Sequence, residues 1–301
     1  MASDPLANTP VGTSQAMFDA FEREYNLRTR HPERERIYRD FAERSEHLRN
    51  RYPMHLNLPY ANHERCRIDL FLPGDRARRT SDDGDLPCPL LVFLHGGYWR
   101  ALDKDIFSFI AEPFVEQGVC VAIPTYGLAP SVSLSEIVEQ IADAMRWLAA
   151  GAQRHGWSNK RVVLTGHSAG GHLAAMMSAL DPSRIGGLGI VGVSAISGLF
   201  DLEPLRHTNV NHDVGMSLDE AIAQSPIRRR SFSADRYLIS AGALETQGFI
   251  DQGQRFDRHL ASLGVVSEFA LIEGRTHFDI LDDLADPRAR LHRATMAMFR
   301  P

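Results

Sequence analysis

The chain has 301 residues, a formal charge of −5, 44% hydrophobic and 24% charged residues, the profile of an average soluble globular protein. That length suits one α/β domain with insertions, and such a chain buries a large core without covalent staples. The mildly acidic balance gives no electrostatic reason to expect nucleic acid or an anionic membrane as a partner.

Three scattered cysteines, Cys66, Cys88 and Cys120, form no C-x-x-C pair. They argue against a zinc ribbon or a disulfide framework and fit a reducing cytoplasm. No basic flank followed by an apolar run opens the chain, and no stretch is long enough to span a bilayer. The expectation is a cytoplasmic protein with a small-molecule substrate, no metal and no cofactor; a homodimer is left open.

Residues 1–12 read as a flexible tail and 13–301 as one domain. Residues 13–55 are highly charged with sparse apolar positions, Phe18, Phe21, Leu27, Ile37, Tyr38, Phe41 and Leu48. That spacing predicts one or two amphipathic helices interrupted near Pro32. They read first as a helical cover on the main domain, and second as a lid that walls the substrate site. Arg67 to Leu72 alternates like a strand, and Asp75 to Asp85 is a polar turn or loop. Pro89 to His95 is a continuous apolar run, as a strand covered on both faces requires.

Helical character follows over Asp103 to Gln117, then a strand over Val119 to Pro124, then a helix over Ser135 to Gly151. Arg161 to Gly166 is a strand, and Leu173 to Leu180 a small-residue helix. Further strands are expected at Ile190–Ile196, Arg236–Ser240 and Val266–Ile272. Helices are expected at Phe249–Leu263 and Asp286–Phe299. Residues from about 199 to 231 form the longest irregular stretch between strands, read as a small cap insertion. Strands alternating with helices imply a mostly parallel central sheet with helices on both faces. In such sheets ligands gather at the carboxyl ends of the strands.

Gly166-His167-Ser168-Ala169-Gly170 fits G-x-S-x-G between an expected strand and an expected helix, the context of a nucleophile elbow. The turn exposes a serine hydroxyl on strained backbone, and the helix start offers the Ala169 N–H to a developing oxyanion. Upstream, His95-Gly96-Gly97-Tyr98-Trp99 closes a buried strand. Bare glycine backbone there supplies the second oxyanion donor, from Gly96, Gly97 or Tyr98, with His95 as organiser of the loop. Tyr98 and Trp99 could wall an acyl or aryl site.

The order Ser, acid, His belongs to the α/β-hydrolase fold. Position selects among the 13 histidines. His277 follows the last strand, whereas His259 and His292 fall in helices and read as surface residues. His207 and His212 lie in the cap, and His172 reads as structural. The acid should follow the strand at Arg236–Ser240: Glu245 comes just past it, with Asp251 as runner-up and Asp201 less usual. Either carboxylate can fix the imidazole tautomer.

With those residues placed, the chain from about Tyr25 onward resembles the arylformamidase (kynurenine formamidase) branch of the α/β hydrolases. The motifs are His95-Gly96-Gly97-Tyr98-Trp99, Tyr126-Gly127-Leu128-Ala129-Pro130, the elbow through Leu173, and Ser197 to Leu205. The resemblance implies a Ser168–Glu245–His277 triad and substrate contacts from Trp99, Tyr126, His167 and Phe200. It further implies hydrolysis of N-formylkynurenine or a similar aryl formamide. Two departures stand near the expected pocket: Thr246-Gln247-Gly248-Phe249 replaces the branch's S-P-E-F, and Thr276 stands where an acidic residue often precedes the histidine. A carboxylesterase or carbamate hydrolase is the alternative, and a non-catalytic binding protein the remote third.

Overall fold

The computed structural model describes residues 14–28, 30–52, 54–74 and 87–300. The tail at 1–12 and the turn expected at 75–85 lie outside them. Two helices lead, α1 (Gln15–Tyr25) and α2 (Arg34–Arg49). Ser14 caps the first by accepting from the Met17 N–H at 3.2 Å. Then come β1 (Met54–Pro59), β2 (Arg67–Phe71) and β3 (Cys88–Leu94). A 3-10 segment, Lys104–Ile110, runs into the short α3 (Ala111–Val115). One long helix had been expected there. Phe107 to Ala111 are all buried in succession, so this run has no 3.6-residue apolar stripe and is wedged between α2 and the sheet.

Next are β4 (Cys120–Pro124) and α4 (Leu134–His155), which opens with a Ser133/Glu136 capping box and stops at Gly156, φ 83°. They are followed by β5 (Trp157–His167), α5 (Ala169–Ser178) and β6 (Ile190–Ile196). The cap stretch holds α6 (Asn209–Val214) and α7 (Leu218–Ala223) between 3-10 turns at Glu203–His207 and Pro226–Arg228. After β7 (Arg236–Gly242), α8 (Gln247–Ser262) and β8 (Val266–Ile272) come α9 (Leu281–Ala285) and α10 (Arg290–Ala297). The C-terminal helix expected over 286–299 therefore starts late. Asp286 is extended (φ −98°, ψ 114°) because Pro287 excludes the helical region from the residue before it.

The strands form one sheet in the order β1-β2-β4-β3-β5-β6-β7-β8. The first two pairings are antiparallel and the rest parallel. This is the α/β-hydrolase fold. From β3 the chain steps to β4 on one side, and from β5 it steps to β6 on the other. That reversal opens a crevice at the carboxyl ends of β3 and β5, where such sheets bind ligands. Every residue of β3 and β4 is buried, as the unbroken apolar runs require.

The N-terminal helices are pinned onto this frame. Phe41 of α2 stacks on Phe109 at 4.5 Å, and Arg44 pairs with Asp282 at 2.7 Å. Arg49 donates to the Asp105 carbonyl at 2.6 Å. On α1, the Tyr25 carbonyl accepts from the Tyr98 hydroxyl at 2.6 Å. The Glu24 carboxylate accepts from the Gly248 N–H at 2.7 Å. Glu22 accepts from both nitrogens of Asn209, at 3.0 and 2.7 Å. One helix thus ties together the loop after β3, the first turn of α8 and the cap.

Candidate active site

The strand-to-helix turn after β5 has the geometry its sequence demands. Ser168 takes φ 57° and ψ −119°, a region that side chains other than glycine avoid. Its N–H donates to the Ile196 carbonyl at 2.8 Å, which holds the strained turn against β6. A Cβ on Gly170 would lie 1.9 Å from the Leu94 carbonyl oxygen, and one on Gly166 2.3 Å from the Gly170 oxygen. Only glycines let backbone pass so close. Ala169 is the first residue of α5, so its N–H belongs to the free N–H groups at a helix start.

The loop after β3 curls under similar strain, with φ 113° at Gly97, 50° at Tyr98 and 56° at Trp99. A Cβ on Gly97 would meet the Ala101 oxygen at 2.1 Å, and one on Gly96 would lie 3.2 Å from the Ser168 Cβ. The loop is therefore packed directly against the elbow. His95 organises it. Burial pushes the His95 pKa down to about 4, so the ring is neutral at pH 7. Nδ1–H donates to the Gly96 carbonyl at 2.8 Å, which leaves Nε2 to accept from the Thr125 hydroxyl at 3.0 Å. In a planar trans peptide the C=O and N–H point opposite ways. Anchoring the Gly96 carbonyl thus aims the Gly97 N–H away from His95.

His277 sits on the loop after β8 and is 3% exposed. Its Nδ1 lies 2.7 Å from Glu245 Oε2. A carboxylate only accepts, so Nδ1 carries the proton and Nε2 keeps the lone pair. The Glu245 side chain is fully enclosed. Its Oε1 accepts from the Ser197 hydroxyl and the Gly242 N–H, each at 2.6 Å. Asp251 and Asp201 are engaged elsewhere, with Gln247 at 2.6 Å and with Arg255 at 2.7 Å. His167, the residue before the elbow serine, donates from Nε2 to the His277 carbonyl at 2.7 Å. Burial, and then the neighbouring His277, hold the His167 pKa well below its ordinary value, so this brace is a neutral ring.

Ser168 and His277 open onto one cavity of about 330 Å³, together with His167, Gly97, Tyr98 and Phe278. Asn26, Leu27, Arg28, Arg34, Glu35 and Tyr38 line it too. The N-terminal segment therefore walls the site and is more than a cover. This is the second of the two readings the sequence allows, a lid that walls the site; a charged amphipathic helix carries no mark of which surface it meets.

Three expected substrate contacts lie elsewhere. Trp99, Tyr126 and Phe200 are fully buried, and none lines this cavity. Trp99 packs edge-on to His172 at 5.0 Å. Tyr126 stacks on His95 at 4.4 Å and donates to the His95 carbonyl at 2.8 Å, supporting the loop from beneath. Phe200 stacks on Phe256 at 4.3 Å in the core. All three stand next to chemistry-bearing segments, and their apolar bulk went into packing. His292 is also buried, 4.4 Å from Phe114, contrary to the surface position expected. Among the described residues no cluster of His, Cys, Asp or Glu is arranged to hold a metal, and no helix is long and apolar enough to cross a membrane.

Fold and site together define an α/β hydrolase. More narrowly, the chain belongs to the BD-FAE family, whose model matches residues 79–233, half of the chain. It is similar to the kynurenine formamidase of Danio rerio, 29% identical over 81% of each chain. It is also similar to the isoprenylcysteine alpha-carbonyl methylesterase of Arabidopsis thaliana, 24% identical over 77% of this chain and 57% of that one. Among solved structures, a proposed thioesterase from Silicibacter sp. TM1040 is 35% identical over 86% of this chain and 92% of its own, with a TM-score of 0.71. An esterase from Pyrobaculum calidifontis shares the fold at 17% identity, covering 95% of this chain and 97% of its own, with a TM-score of 0.70. The protein is a hydrolase.

Proposed function

We propose that this protein is a serine hydrolase that cleaves an aryl formamide such as N-formylkynurenine through a formyl-enzyme. The observation that carries the reading is the placement of Ser168, on its strained turn, in one cavity with His277, whose far nitrogen is held by the enclosed Glu245 carboxylate. Ser168 Oγ attacks the formyl carbon while His277 Nε2 takes its proton. The carbonyl oxygen becomes an oxyanion stabilised by the N–H groups of Ala169 and of the Gly97–Tyr98 loop. The C–N bond breaks as His277 returns the proton to the aniline nitrogen. Water, deprotonated by the same imidazole, then attacks the formyl ester, releasing formate and restoring the serine.

Two features favour a compact aromatic substrate. The cavity is at the small end of ligand sites, and its wall carries the rings of Tyr38, Tyr98 and Phe278. Kynurenine formamidases are among the relatives, which supports the formamide as the bond broken. The methylesterase and thioesterase relatives supply the second reading, an esterase on a small acyl ester.

A panel of N-formylkynurenine, p-nitrophenyl acetate and an aryl carbamate tests the assignment. The expected result is a kcat/KM for the formamide well above that for the ester. Equal or faster ester turnover assigns the protein as an esterase. A fluorophosphonate should label Ser168 stoichiometrically, and folded protein that resists labelling would end the serine mechanism.

A further inference from the structure

We propose that Arg28 forms a binding site for a substrate carboxylate, carried on the leaving group, at the outer wall of the catalytic cavity. The proposal deepens the function proposed above and rests on it for Ser168 as the point of cleavage.

Three arginines line the cavity, Arg28, Arg34 and Arg100. Two of them are committed. Arg34 pairs with Glu35 at 2.9 Å, and Arg100 pairs with Asp213. Among the described residues, the Arg28 guanidinium has no carboxylate and no carbonyl partner. Glu35 is the cavity wall's one carboxylate, and Arg34 holds it. The wall therefore carries one uncompensated positive charge, in a chain whose net charge is −5.

The backbone of Arg28 is anchored, and the residue is exposed at the cavity's outer wall. It lies in the link between α1 and α2, where its N–H donates to Asn26 Oδ1 at 3.3 Å. Its carbonyl accepts from Arg34 Nη1 at 2.6 Å. A second observation points the same way. Asn26, Arg28 and Arg100 also line an adjoining cleft of about 240 Å³, whose other wall is Asn209, His212 and Asp213 of the cap. Arg28 thus stands where the catalytic cavity opens between the N-terminal helices and the cap. A planar guanidinium with unused donors binds a carboxylate bidentately, and aromatic rings beside it receive the body of the ligand. The substrate class that fits is a small aryl amide or ester with an anionic side chain beyond the ring.

The test uses two matched pairs: N-formylkynurenine against its α-carboxamide, and an aryl acetate with a side-chain carboxylate against its carboxamide. The parent protein should favour each carboxylate by about 10–100-fold in kcat/KM at low salt, mostly through KM. Arg28→Gln should bring the ratio to within about threefold, Arg28→Lys should retain part of it, and about 0.5 M salt should narrow it. A parent ratio near one, or a ratio unchanged in Arg28→Gln, overturns the proposal. Slow formamides beside a discriminating ester pair would sink the formamide reading and leave the carboxylate site standing. Calorimetry on Ser168→Ala with the carboxylate product and its amide gives the same ratio without turnover. Equal Kd values there would also overturn it.

Discussion

Replacing Glu245 by Gln changes one atom in a fully enclosed group and tests the catalytic reading directly. Three donors converge on this carboxylate: His277 Nδ1 at 2.7 Å, the Ser197 hydroxyl at 2.6 Å and the Gly242 N–H at 2.6 Å. An amide offers one oxygen and one NH2. If the oxygen serves Ser197 and Gly242, the NH2 faces His277 and forces its proton onto Nε2, the tautomer that cannot accept from Ser168. If the oxygen serves His277 instead, the Gly242 N–H faces an NH2 and is left unmet, at a cost of about 1–3 kcal/mol. The first arrangement keeps the protein folded and removes the base. A wrong-tautomer substitution of this kind in a serine protease lowers kcat by about 10⁴. The expectation here is a loss on the order of 10³–10⁴ in kcat, or about 4–5.5 kcal/mol of barrier. Steady-state turnover, the rate of fluorophosphonate labelling and a thermal melt read this together. Glu245→Asp keeps the charge and should lose less. A Gln variant that turns over within tenfold of the parent at neutral pH refutes the assigned role.

Gly170→Ala puts a Cβ 1.9 Å from backbone of β3, which no rotamer relieves; we expect insoluble protein or a Tm lower by about 10 °C or more. Gly74→Ala meets nothing within 4 Å among the described residues and should melt with the parent. His95 and His172 are both driven down to about pKa 4 by burial, so between pH 6.5 and 4 the unfolded chain binds more protons than the native one. Stability should therefore fall on acidification, by about 1.4 kcal/mol per pH unit for each ring. Urea midpoints from pH 7.5 to 5 measure it, His172→Gln should shallow the slope, and a flat profile would contradict the burial argument. Tyr38→Ala removes a ring that lines the cavity and packs edge-on to Phe278 at 5.8 Å; KM for an aryl substrate should rise about three- to tenfold. An unchanged KM would place the aryl group elsewhere.

How much of this was legible in the sequence depended on whether the signal was local. Buried parallel strands announce themselves as largely apolar runs, and β6 was readable to the residue; so was β8, a half-exposed edge strand. The edge strand β1 was not, because its short alternation of Met54, Leu56 and Leu58 is mostly exposed and ends at Pro59. The start of α5 was hidden by Gly170 and Gly171, residues demanded by close approach to β3 and to β5 and β6 respectively and not by helix propensity. Ser168, His277 and Glu245 could be proposed because each follows a strand that the fold orders in space. Ser197 also follows a strand, β6, but a serine there carries no sign that its hydroxyl donates to Glu245. The sequence allows the N-terminal helices as a wall of the site, but that Asn26, Arg28 and Tyr38 are the residues that form it is illegible for a deeper reason. Their contacts run across some 130 residues of chain to Ser168, and a helix's polar face does not name the surface it meets.

The distribution of backbone strain supports the same location for the chemistry. Six non-glycine residues among those described have positive φ: Asn57, Tyr98, Trp99, Leu102, Ser168 and Ser197. Five of them lie in the turns and loops after β3, β5 and β6 at the carboxyl ends, and Asn57 alone lies in an edge strand. Each such conformation costs on the order of 1–3 kcal/mol and persists only where surrounding structure fixes it. Here the fixing contacts are visible: Ser168 N–H on Ile196, Ser197 N–H on Ser240 at 2.7 Å, and Tyr98 clamped by the α1 carbonyl of Tyr25. A fold with no use for these turns could relax them by single substitutions. Keeping three adjacent strand ends strained beside one small cavity, with Tyr98 and Ser168 in its wall, suits a site that holds a reacting group against backbone in a fixed geometry.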